Sequence, residues 1–213
     1  FLVANPKGGS GKSPLATNLA GYFASRRHDL MLGDIDRQQS ARDWLAIRPF
    51  ELPTIDTWDI GPDKIARPPK GTSHVVLDTP AGLHGKALDK VLKLSTRVIV
   101  PVQPSLFDML ATRHFLEALL SEKAVRKGRA DVAVIGMRVD ARTRAAGELE
   151  RFFATFDLPV LNYRALVHGV TAPKFWDQGE DDRDFKWNNY ISRYHSRHLD
   201  LMDLLALYQP RAN

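Results

Sequence analysis

The 213-residue chain contains no cysteine. That absence excludes disulfides, thiolate metal sites and a cysteine-held iron–sulfur cluster, and it fits a reducing compartment, so a cytoplasmic location is expected. No run of about 18 apolar residues occurs, which is the length a helix needs to cross a bilayer, so no membrane span is expected. Charge of either sign is nearly balanced: 30 Lys and Arg against 25 Asp and Glu leave a net +5. An excess that small is compatible with a polyanionic partner without requiring one. Internal repeats and low-complexity stretches are missing. A convincing histidine metal site is missing too: His114 stands alone on a helical pattern, and His195 and His198 lie among arginines with no carboxylate or thiol at ligand spacing. The chain opens on Phe1 rather than Met, inside an apolar run, so a truncated first strand with no signal peptide ahead of it is expected.

What is present is concentrated near the start. Residues 5–14, Asn5-Pro6-Lys7-Gly8-Gly9-Ser10-Gly11-Lys12-Ser13-Pro14, stand between the apolar Phe1-Leu2-Val3-Ala4 and a helical pattern. A glycine-rich turn between strand and helix aims backbone N–H groups and the positive helix end at one spot, which suits a polyphosphate. In that geometry Lys12 reaches the β- and γ-phosphates and the Ser13 hydroxyl faces Mg²⁺. The G-x-x-x-x-G-K-[ST] pattern is incomplete, because Pro6 holds its first glycine position. A second lysine, Lys7, precedes the glycines.

Two further acidic strand ends follow. Leu30-Met31-Leu32-Gly33 reads as a buried strand that delivers Asp34 and Asp36 to the ligand-facing edge of a parallel sheet. Carboxylates in such places suit Mg²⁺-bound water and the orientation of an attacking water, whereas the competing reading is a cap on the next helix. His74 to Leu77 is an apolar strand ending in Asp78, placed as a carboxylate that holds Mg²⁺ through water, and Thr79-Pro80-Ala81-Gly82 makes the turn after it.

The segment Lys7-Gly8-Gly9-Ser10-Gly11-Lys12-Ser13 resembles the deviant Walker A motif of the ParA/MinD family of ATPases, closest to its ParA-type partition members. Asp78 to Gly82 is similar to the family's switch loop, and Val100-Pro101-Val102-Gln103-Pro104-Ser105 to its Ile-Pro-Val-x-Pro-Ser segment. The resemblance implies ATP and Mg²⁺ as ligands, bound by Lys7, Gly8, Gly9, Ser10, Gly11, Lys12, Ser13 and Pro14, with Ser13, Asp34 and Asp78 around the metal. It assigns Asp36 to the attacking water and Lys7 to the phosphates of the partner's ATP in a homodimer formed on ATP binding. Pro14 departs from the family, which has a threonine there whose N–H and hydroxyl bind the α-phosphate, so weaker nucleotide binding is expected.

Elsewhere the spacing predicts helices over 14–27, 40–47, 107–127 and 145–156, a short strand from Thr54 to Trp58 in a proline-rich connection, and strands at 98–104, 131–139 and 158–161. Trp44 and Trp58 read as packing residues. Strands alternating with helices, with the phosphate loop and carboxylates at strand ends, predict a doubly wound, mainly parallel α/β sheet flanked by helices, a single P-loop domain over 1–213. Between Arg126 and Arg151 stand seven Lys/Arg and four Asp/Glu. Within that stretch Asp140-Ala141-Arg142-Thr143 is similar to the family's region near its DNA-contacting surface, which makes Arg142 and Arg144 candidates for phosphate contacts that read no sequence; the competing reading is a solvated charged surface. Arg164 and Ala172-Pro173-Lys174-Phe175 resemble the segment beside the nucleotide base. An exposed acidic turn is expected at 180–184, and a last helix, 199–208, carries acids and is expected to dock on the body rather than on a membrane.

The family implies slow, partner-stimulated ATP hydrolysis by a nucleoid-associated dimer that binds DNA nonspecifically and answers to a ParB-like or cargo-adaptor protein. Such a cycle partitions plasmid or chromosomal DNA or positions a protein cargo. Two alternatives stand beside it: a metabolic or cofactor-loading P-loop enzyme, and a MinD-like membrane-cycling ATPase.

Overall fold

The computed structural model describes residues 1–161. Strand β1 (Leu2–Val3) leads through the glycine loop into α1 (Lys12–Ser25), followed by β2 (Leu30–Asp34), α2 (Ser40–Ala46), β3 (His74–Asp78) and α3 (Gly85–Leu92). Then come β4 (Arg97–Val102), α4 (Leu106–Ser121), α5 (Lys123–Arg126), β5 (Asp131–Gly136), α6 (Arg144–Phe153) and β6 (Val160–Leu161). The six strands form one sheet in the order β2-β3-β1-β4-β5-β6, and every pairing is parallel.

Parallel strands need crossover connections, which lay helices on both faces and require apolar side chains in both directions along each strand. The alternation is regular. Leu2, Leu77, Val98, Val100, Val102, Val132 and Val134 join one core with Leu88 and Val91 of α3, Leu116 and Leu119 of α4, and Leu149 and Phe152 of α6. Their neighbours Val3, Val76, Ile99, Ala133 and Ile135 join a second core with Leu15, Leu19 and Phe23 of α1. The chain leaves β1 toward β2 on one flank and later returns past it to β4 on the other. The carboxyl end of β1 is therefore a topological switch point, where open α/β sheets form their ligand crevice.

The expected inward face of α1 is as read: Leu15, Leu19, Tyr22 and Phe23 are buried. Pro14 fits because the first helical bond runs from Leu15 N–H to the Gly11 carbonyl, so the third helical position needs no donor. Trp58 also packs as expected, its ring against Gly33 and its Nε1 donating to the Ala66 carbonyl at 3.1 Å.

Two expectations are corrected, and one helix is added. The strand at 54–58 reduces to one isolated bridge between Met31 and Asp56, since the flanking prolines withhold ladder donors and Trp58 turns into the core. The single helix over 107–127 is two, parted at Glu122 (ψ 140°), where the Ser121 hydroxyl bonds back to the Ala118 carbonyl. Helix α3 was not expected from the sequence at all. The readings of Arg164, residues 172–175, the acidic turn at 180–184, His195, His198 and the helix at 199–208 lie outside the described residues.

Candidate phosphate and metal site

The loop after β1 takes the shape its glycines permit. Gly9 (φ 74°) and Gly11 (φ 94°) adopt left-handed backbone, and Gly11 caps α1 in that conformation, so the first turn of α1 opens onto the loop. A Cβ at Gly11 would also meet Met137 Cε at 2.8 Å, because the end of β5 closes over it.

Side chains from the β4–α4 segment fix this loop in place. Asn5 Nδ2 donates to the Pro101 carbonyl at 2.8 Å and to Thr112 Oγ1 at 3.0 Å, while Asn5 Oδ1 accepts from Lys7 N–H at 2.9 Å. Gln103 Nε2 donates to the Gly9 carbonyl. Within the loop, the buried Ser10 hydroxyl and Lys12 Nζ both donate to the Lys7 carbonyl, at 3.1 and 2.8 Å. Lys12 is only 6% exposed; burial lowers its pKa, and the nearby Asp78 and Asp36 carboxylates pull it back up. Gly8 and Gly9 are exposed, and a Cβ on either meets nothing within 4 Å, so their amide edge is open to a ligand.

Asp78, at the end of β3, is wholly buried. Its Oδ1 accepts from Thr79 N–H at 2.9 Å, but its Oδ2 has no hydrogen-bond partner. Burial pushes its pKa up to about 6, opposed by the Ser13 hydroxyl, while Asp34 raises it further. A buried carboxylate oxygen left unpaired beside a P-loop serine and lysine is what a hydrated divalent cation would satisfy. The residues present therefore fit Mg²⁺.

Asp34, opposite Asp78 in the β2–β3 register, has a different geometry from the metal-facing one expected. Its Oδ1 accepts from Asp36 N–H at 2.9 Å, and its Oδ2 from Ala41 and Arg42 N–H at 2.9 and 3.2 Å. Asp34 thus caps the start of α2, the competing reading of the sequence, and burial still raises its pKa. Asp36 is half-buried on the loop beyond, its Oδ1 accepting from Gln38 N–H at 3.0 Å, close enough to Lys12 to influence it.

Lys7 turns toward α4, where its Nζ meets Asp108 Oδ2 at 2.7 Å. Arg142 lies between β5 and α6, and Arg144 opens α6. Arg142 chelates Asp140 with Nε and Nη2, at 3.0 and 2.8 Å, holding that carboxyl down to about 2, and Arg144 Nε reaches Glu148 at 2.9 Å. Both side chains are about nine-tenths exposed. Sequence reasoning missed Asn5, Gln103 and Asp108 as parts of the site. The one available signal was Ser105-x-x-Asp108, a capping-box spacing that now holds: Ser105 Oγ accepts from Asp108 N–H at 3.2 Å.

A parallel sheet with a glycine loop, a buried lysine and an acidic strand end at its switch point defines a P-loop nucleotide-binding protein. Comparison narrows it: residues 1–173 match the CobQ/CobB/MinD/ParA nucleotide-binding domain model, and the chain belongs to that family. A second model, described as a "predicted 3'-5' exonuclease related to the exonuclease domain of PolB", matches residues 147–213. Among relatives, maintenance of carboxysome distribution protein A from Gloeobacter kilaueensis is 31% identical over 173 residues, 80% of this chain and 76% of that protein. Among solved structures, cobyrinic acid a,c-diamide synthase from Mycobacterium smegmatis with bound ADP and magnesium aligns with a TM-score of 0.61 at 18% identity, over 76% of this chain and 83% of that one. A putative plasmid partition protein from Borrelia burgdorferi bound to AMPPNP aligns with a TM-score of 0.55 at 19% identity, over 80% and 89%.

Proposed function

We propose that this protein is a ParA-type ATPase that positions a cargo, pairing with a second copy when ATP and Mg²⁺ are bound. The observation that carries the nucleotide reading is the unpaired, buried Asp78 Oδ2 beside Ser13 and Lys12. In this reading the amides of Gly8 to Ser13 cradle the phosphates, Lys12 leaves the Lys7 carbonyl for the β- and γ-phosphates, and Ser13 and Asp78 hold the hydrated Mg²⁺, with Asp34 behind them. Mg²⁺ supplies neutralisation of phosphate charge. Asp36 orients the attacking water, and Lys7 completes the site of the partner copy.

The likeness to a carboxysome distribution protein supports a positioning role, with a protein cargo or DNA as the load and an adaptor protein stimulating hydrolysis. The track is nonspecific DNA, met by Arg142 and Arg144, whose exposed side chains exchange Asp140 and Glu148 for phosphates. Fold alone does not separate this from small-molecule chemistry, since a synthase shares the architecture. Among the described residues no helix is long and apolar enough to cross a membrane.

Co-sedimentation with nonspecific DNA and with anionic liposomes, with and without ATP, tests the reading. The expected result is ATP-dependent retention on DNA that is steeply salt-sensitive and is lost in Lys7→Ala and Lys12→Ala. Retention on liposomes instead points to membrane cycling. Indifference to both, with brisk turnover of a small acceptor, points to a metabolic enzyme.

A further inference from the structure

Gln39 (φ 52°) stands immediately before α2 in left-handed backbone, where a side chain persists only if its surroundings over-determine it. Those surroundings are the backbone of the two acids after β2. Gln39 Nε2 donates to the Asp34 carbonyl at 3.2 Å and to the Asp36 carbonyl at 2.5 Å, and its Oε1 accepts from Arg42 Nη1 at 3.4 Å, which sets the direction of the amide. Its own N–H closes the turn on the same Asp36 carbonyl at 3.2 Å. Asp36 is therefore held on both sides of its backbone: its N–H lies on Asp34 Oδ1 at 2.9 Å and its carbonyl lies under the Gln39 amide. Just before it, Ile35 N–H donates to the Asp78 carbonyl at 3.1 Å, which ties this loop to the acidic end of β3. The carboxylate so placed is close enough to Lys12 to act on its charge. Glycine would meet the backbone demand at position 39 without steric cost, but it would leave both carbonyls without the amide.

We infer that Gln39 is a positioning residue for ATP hydrolysis: its amide straps the Asp36 backbone so that the carboxylate stays aligned on the attacking water, and it sets the rate of cleavage rather than the grip on nucleotide. This rests on the water-orienting role of Asp36 proposed above. In that reaction the water oxygen bonds to the γ-phosphorus as the bond to the bridging oxygen breaks. ADP departs with that electron pair, and the water proton ends on the released phosphate. The alignment of the water sets the rate, because a displacement of about 1 Å costs on the order of 100-fold.

The test compares the wild type, Gln39→Gly, Gln39→Asn, Asp36→Ala and the double variant Asp36→Ala/Gln39→Gly in two assays: cleavage of γ-labelled ATP with Mg²⁺ by excess protein, and calorimetric affinity for AMPPNP with Mg²⁺. Gln39→Gly is expected to slow cleavage at least about fivefold while AMPPNP affinity stays within about twofold. Gln39→Asn accepts the left-handed backbone but is one methylene too short to reach both carbonyls, so it should behave alike and stands in should the glycine variant fail to fold. In the double variant the glycine should add nothing to the loss from Asp36→Ala, as for two residues acting through one group. Gln39 variants that cleave as fast as the wild type overturn the strap alone. So does a fall in AMPPNP affinity as large as the fall in rate, which marks a residue that merely folds the loop. An Asp36→Ala protein that cleaves at the wild-type rate, or a wild type that cleaves no ATP, overturns the reading of the site and the strap with it.

Discussion

Pro14 sits at the third position of α1, in the ring of amides that opens onto the phosphate loop, and it brings neither an N–H nor a hydroxyl. Pro14→Thr restores both, and calorimetry should find nucleotide binding tighter by about 1–3 kcal/mol. An unchanged affinity means that the missing donors face no phosphate. Asp78 carries a second residue-level prediction. With a pKa raised to about 6, its carboxyl is neutral below that pH and charged above it, and only the charged form attracts a hydrated cation. The Mg²⁺-dependent gain in nucleotide affinity should therefore fall as pH drops through about 6, and Asp78→Asn should show little gain at any pH. At this scale the sequence was most legible where structure is local: the left-handed glycine turn, the start of α1 and the acidic end of β3 fall where the pattern along the chain puts them. Asn5, Gln103 and Asp108 escaped because their contacts span 94–107 residues along the chain, and no spacing rule reaches that far.

The elements were legible in proportion to the regularity of their pattern. The parallel strands alternate between two cores and were found. Helix α3 was overlooked because it is only two turns long, opens on a glycine and buries just Leu88, Val91 and Leu92, too few positions to set a helical period. The segment at 54–58 was taken for a strand, yet it reaches β2 through one bridge at Asp56 and through Trp58 lying against Gly33. A Cβ at Gly33 would lie 2.5 Å from the Trp58 ring and 2.8 Å from Leu77 Cδ2. Gly33→Ala should accordingly lower stability to denaturant by about 1–3 kcal/mol, with a change in tryptophan fluorescence as the ring is displaced. No loss would mean that the 47–73 connection gives way freely. Helix α4 makes a complementary case: Ser105→Ala removes its cap and should lower stability by about 1 kcal/mol in the same assay.

For the molecule as a whole, strand order decides where chemistry is possible. Placing β1 between β3 and β4 brings the glycine loop, Asp78 and the β4–α4 brace to one crevice, though they arise from segments far apart in sequence. The doubly wound parallel sheet and the family were both readable from motif order. Strand order and the bracing of Lys7 were not, because they depend on which crossovers pack on which face. The account turns on one amine serving two subunits, and light scattering of the protein with AMPPNP and Mg²⁺ measures that most directly. The wild type should double in mass with the analogue, and Lys7→Ala should bind the analogue yet keep the mass of a single chain. A Lys7→Ala protein that doubles as readily as the wild type, or a wild type that stays single when saturated, contradicts it.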